Sequence, residues 1–135
     1  MWRNFFSKKP LPLSGAPAVR RLKTYSAQSG YVYQYFYEGQ RPFPSGGESG
    51  LEFVFTVSAD RKSWHAVSVL VAEKALRAWQ QAHAYALSST ERYAVAKMAL
   101  LQAFDERATP DLMKLEVGLR AADVAAILET LGLES

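Results

Sequence analysis

The chain has no cysteine. That excludes a disulfide framework and any thiolate metal site, and it sets the expectation of a reducing, cytoplasmic setting. Imidazole is scarce too. Only His65 and His83 are present, so a structural zinc site would need carboxylates, which is uncommon. No carboxylate cluster suggests a metal, and neither metal nor cofactor is expected. No apolar run approaches the roughly 18–20 residues of a membrane span. The opening Met1–Leu13 lacks the continuous apolar core of a signal peptide. Trp2, Phe5 and Phe6 beside Arg3, Lys8 and Lys9 could touch a membrane surface, but the stretch is too short for stable anchoring. Ser45–Gly50 (S-G-G-E-S-G) lacks the Lys-Ser/Thr ending of a phosphate loop and is not G-x-S-x-G. No Ser-His-Asp order can be built around His65. No catalytic residue is therefore assigned, and an enzyme is not the favoured class.

What is present points to one packed unit. The 135 residues suit a single domain, and 49% hydrophobic against 21% charged residues is enough apolar material for a real core. Charge is uneven. Residues 1–50 carry seven Lys and Arg against two acids, whereas the rest carries nine against eleven. A basic front half hints at an anionic partner or at head-to-tail self-association.

Residues 1–17, rich in Pro, Ser and Gly after the aromatics, read as an extended arm, and 18–135 as one α+β domain. A short strand is expected within Val19–Ser26 and a strong one from Tyr31 to Gly39. An irregular loop follows, centred on Gly46-Gly47. Leu51–Ser58 and Trp64–Val71 alternate apolar and polar positions around the short turn A-D-R-K-S, the pattern of an antiparallel meander. The period then changes from two to 3.6. Residues 72–87 read as a helix. Ser88 and Glu91 have capping-box spacing for a second helix that runs to about Glu106. Thr109-Pro110 opens a further turn, Asp111–Val117 is ambiguous, and Ala121–Leu131 is a last helix stopped at Gly132. The expected fold is α+β: an antiparallel meander of three or four strands, then three helices packed on one face.

Tyr31, Tyr33, Tyr35 and Tyr37 alternate along the strongest strand, so all four phenols are expected on one face. They could fill a core, form a protein or self-interface, or stack nucleic-acid bases with Arg20, Arg21, Lys23 and Arg41 meeting phosphates. Lys97 lies within the apolar stripe Tyr93, Leu100, Leu101, Phe104. A lysine so placed can become a base or amine nucleophile, although more often it pairs or reaches the edge. His83 follows Trp79 by one turn on the preceding helix. If the two helices cover one sheet face, His83, Lys97 and tyrosine hydroxyls would form a polar pocket in an apolar wall.

The stretches K-T-Y-S-A-Q-S-G-Y-V-Y-Q-Y-F-Y-E-G-Q-R (23–41) and E-R-Y-A-V-A-K-M-A-L-L-Q-A-F-D-E (91–106) resemble uncharacterised bacterial domains of unknown function. The resemblance covers about a quarter of the chain, and it implies no activity. The leading expectation is a small non-catalytic binding or protein-interaction domain that self-associates as a homo-oligomer. Its candidate contact residues are Tyr31, Tyr33, Tyr35, Tyr37 and Arg41, with Trp2–Phe6 as a second surface. The alternatives are a nucleic-acid binder and a small-ligand protein or enzyme around His83 and Lys97. Which sheet face the helices cover decides among them.

Overall fold

A computed structural model describes residues 11–43 and 48–132. The expected contact segment Trp2–Phe6 and the Gly46-Gly47 loop lie outside the described residues. Four strands form the meander: β1 (Lys23–Ser26), β2 (Val32–Pro42), β3 (Gly50–Ser58) and β4 (His65–Ala72). Then come α1 (Glu73–His83), α2 (Ser89–Glu106), a 3-10 turn at Pro110–Lys114, β5 (Val117–Gly118) and α3 (Ala121–Thr130). The class is α+β. The sheet has five strands instead of three or four, because the ambiguous segment before α3 ends in the two-residue β5, parallel to β4. Arg107 holds that segment, donating to the carbonyls of Leu112, Leu115 and Glu116 at 2.8 Å each.

Each boundary has a local cause. The β3–β4 turn is closed by Asp60, whose carboxylate accepts from the Lys62 and Ser63 amides at 2.8 Å. Helix α1 stops where Ala84 turns left-handed at φ 48°. Helix α2 starts on the capping box foreseen from Ser88 and Glu91, with both reciprocal hydrogen bonds made. Gly50 is required by contact. A Cβ there would stand 2.6 Å from the Val71 carbonyl oxygen.

The helices cover the sheet face that carries Tyr33, Tyr35, Phe53, Phe55, Val57, Val67 and Val69, all buried. Helix α2 runs along β2 in the opposite direction, with Tyr93 over Tyr37 and Phe104 over Tyr33. The lengths match: eleven helical steps from Tyr93 to Phe104 cover about 16 Å, and four strand steps from Tyr37 to Tyr33 about 13 Å. The Phe104 ring stacks on Tyr33 with centroids 4.2 Å apart and planes within 8°. Next to it, Asp105 accepts from the Tyr25 hydroxyl and the Gln28 amide, each at 2.8 Å. The Ser29 hydroxyl donates to the Phe104 carbonyl at 2.7 Å. The last turn of α2 is thus clamped to the β1–β2 hairpin by an aromatic stack and three hydrogen bonds.

Two outcomes follow from this packing. Phe104→Ala should lower the unfolding free energy by about 3–5 kcal/mol, read from urea denaturation. The Tyr33 hydroxyl is buried and finds no partner among the described residues. Leaving such a group unpaired costs about 1–3 kcal/mol. Tyr33→Phe, which keeps the ring and removes the orphan, should therefore match or exceed the parent in urea midpoint. A clear loss would mean the hydroxyl is satisfied in solution.

Candidate functional site

Residues 14–23 and the β2 edge build the most distinctive feature. Lys23 pairs with Tyr35, and Ser14 pairs with Gln40 through two 2.8 Å backbone hydrogen bonds. Between these two anchors, β2 has four residues, 36–39, while the facing chain has eight, 15–22. The excess length cannot lie flat against the strand, so residues 15–22 arch away from it. Pro12 and Pro17 flank Ser14 and have no N–H to donate, which limits further pairing at this edge. The Arg20 guanidinium pins the arch from the outer sheet face, 2.9 Å from Glu38 and 5.2 Å from the Phe36 ring centroid.

Beneath the arch lies a cavity of about 290 Å³. Pro17, Val19, Arg21 and Lys23 line one side. Tyr35 and Tyr37 of β2 and Tyr93 of α2 line the other. The Tyr37 and Tyr93 rings lie 4.7 Å apart at 60°. The Tyr37 hydroxyl approaches Gln40 Oε1 at 3.4 Å, and among the described residues the Tyr35 and Tyr93 hydroxyls make no hydrogen bond. Burial pushes the Tyr37 phenol up to about 12 and the Tyr35 and Tyr93 phenols up as well. At neutral pH all three are uncharged donors.

The residues singled out from the sequence are not gathered in one place. Tyr33 and Tyr35 are buried, Tyr37 is half-buried, and Tyr31, one residue before β2, is exposed. For Tyr33 and Tyr35 the face read as a contact surface is an interior face. Arg41 is separated from the tyrosines by a β-bulge: Tyr37 pairs with Phe55 but Gly39 with Val54, so Glu38 is an extra residue. Every later side chain of β2 changes face, and Arg41 meets Glu52 on the outer side at 3.0 Å. With Ser68 also donating to Glu52, at 2.5 Å, the Arg41 hydrogen bond holds this carboxyl below its usual range. The isolated Gly39, at φ 139°, was the sequence signal for the bulge.

His83 stacks on Trp79 with centroids 4.2 Å apart, and its Nδ1 lies 2.9 Å from the Trp79 carbonyl oxygen. Lys97 is half-buried, at the border of the α2 stripe whose interior is Val95, Ala96, Ala99, Leu100, Ala103 and Phe104. Among the described residues no hydrogen bond or ion pair joins His83 to Lys97, and neither lines the cavity under the arch. Trp79 and the backbone of its own helix engage His83. Among the lining residues, Val19 was not singled out from the sequence, Arg21 and Lys23 were read as phosphate contacts, and Tyr93 as part of a helix stripe.

A second, polar cavity of about 260 Å³ lies between the end of α2, β5 and the start of α3. Three of its charged residues are engaged within the fold: Arg107 with three carbonyls, and Arg120 with Asp123 at 3.3 Å. Among the described residues no group of His, Asp and Glu could hold a metal ion, and no helix is long and apolar enough to cross a membrane. No family model, curated protein or solved structure matches the chain.

The raised phenols predict an alkaline transition. The unfolded chain releases the Tyr37 proton near the ordinary value of 10, the folded one near 12. The stabilisation is complete below about pH 10 and is lost as pH rises from 10 to 12. Urea midpoints should be flat through neutral pH and fall in that window. Tyr37→Phe should make the fall shallower, and an equal fall would place the sensitive group elsewhere.

Proposed function

We propose that the protein is a small, non-catalytic binding domain whose ligand enters the cavity beneath the residue 15–22 arch. One observation carries this reading: an arch longer than the strand it faces spans a cavity of about 290 Å³ walled by Tyr35, Tyr37 and Tyr93. That volume is near the lower end of ligand clefts, roughly 300–1,000 Å³, and a mostly aromatic wall with a few polar groups is their usual make-up. The non-catalytic part draws support from the phenols, which stay protonated at neutral pH and so are no general bases. A cytoplasmic setting belongs to the same proposal and rests on the cysteine-free sequence.

Self-association through the tyrosine face has less support than this, since Tyr33 and Tyr35 pack against Phe104. A nucleic-acid platform made of those rings meets the same difficulty.

The test uses an uncharged solvatochromic dye such as Nile red and the variant Val19→Trp, which puts a bulky ring at the cavity wall. The parent should bind one dye per chain, and the variant should bind about tenfold more weakly with an unchanged circular dichroism spectrum. Equal binding by parent and variant, or none by the parent, would overturn the assignment.

A further inference from the structure

The charges around the cavity narrow its ligand class, an inference that rests on the binding role proposed above. Among the described residues no acidic side chain lines the cavity, whereas two cations, Arg21 and Lys23, do. Most cations nearby are engaged elsewhere. Arg20 pairs with Glu38, and Arg41 with Glu52. Arg21 and Lys23 make no ion pair or hydrogen bond among the described residues. They sit two positions apart on an extended chain, so both side chains point the same way, toward the space in front of Tyr35 and Tyr37. Both residues are exposed, which places their charge at the mouth and leaves the aromatic rings as the floor.

A cleft with low-dielectric walls and one sign of charge concentrates ions of the opposite sign. The donors inside have the same preference. The Tyr35 and Tyr93 hydroxyls are protonated at neutral pH and make no hydrogen bond among the described residues, so they can donate to an anion's oxygen or cap a polar substituent. An ammonium ligand would meet two like charges and, among the described residues, no carboxylate. A fully polar anion such as inorganic phosphate would leave the aromatic floor unused and pay desolvation there.

We infer that the cavity takes a small amphipathic organic acid: an apolar or aromatic body held among Tyr35, Tyr37 and Tyr93, and a carboxylate at the mouth between Arg21 and Lys23. The body excludes water from the rings, and the head group supplies orientation. The contacts of the head group are solvent-exposed, so they add a modest increment each. They discriminate by charge, while the body supplies most of the binding.

The experiment compares 3-phenylpropionate, 3-phenylpropanol and 3-phenylpropylamine, with octanoate as an aliphatic acid, by calorimetric titration at low and high salt. The acid should bind about fivefold to tenfold more tightly than the alcohol, and the amine more weakly than either. The acid's advantage should shrink with added salt. It should vanish in the double variant Arg21→Gln/Lys23→Gln and return in Arg21→Lys/Lys23→Arg. Phenylpropionate against octanoate tells an aromatic from an aliphatic body. Equal binding of acid and alcohol, or an advantage that survives the double glutamine variant, overturns the organic-acid inference and leaves the cavity role standing. Loss of all four ligands together with Nile red overturns both. Binding of Nile red without the acid overturns this inference alone.

Discussion

The fold depends on one contact, the Phe104 ring lying flat on Tyr33. It joins the end of α2 to the start of β2, and it is sealed by neighbours from α2 and the β1–β2 hairpin. Asp105 ties down Tyr25 and Gln28, and Ser29 holds the Phe104 carbonyl. Because side chains alternate across a strand, placing Tyr33 under Phe104 places Tyr35 and Tyr37 under α2 as well. It likewise commits Phe53, Phe55, Val67 and Val69 to the interior through the strand register. The buried face and its aromatic floor are consequences of this one stack.

The cavity arises where that arrangement runs out. Strand β1 pairs with only four residues of β2, 32–35, and beyond them the edge of β2 is met by a chain segment twice as long as the stretch it faces. An excess of backbone over a fixed edge must leave the sheet, and the bulge at Glu38 adds twist at that point. Two anchors, the Ser14 bridge and the Arg20 contact with Glu38 and Phe36, keep the arch over the rings. The site therefore combines a rigid floor made by the core with a roof of exposed residues, a division common where a scaffold carries a binding loop.

Much of the fold was legible along the chain, for identifiable reasons. The change from period two to period 3.6 after Val71 separates sheet from helices. The capping residues Ser88 and Glu91 open α2, and Gly132 follows the last helix. These are local signals, each carried by a few neighbouring residues. The candidate site was not legible. Arg21 and Lys23 were read as phosphate contacts of a basic front half, Tyr93 only as part of a helix stripe, and Arg41 was grouped with tyrosines from which a single extra residue separates it. Lys97 and His83 drew attention as polar residues in apolar stripes. Neither stripe records that His83 is engaged within its own turn or that Lys97 lies at the border.

By itself the sequence determined the class, the order of the meander strands and the three helices, and the alternation of the tyrosines that places three of them on β2. Alternation and capping are properties of a chain with its nearest neighbours. Tertiary structure alone decided that Tyr33, Tyr35 and Tyr37 face the helices while Tyr31 stays exposed, that Arg41 faces away from them, and that residues 15–22 stand off the sheet above Tyr35, Tyr37 and Tyr93. Those outcomes depend on register between distant segments. Register is set by the total packing of one face, and a shift of one residue exchanges every side chain between the two faces.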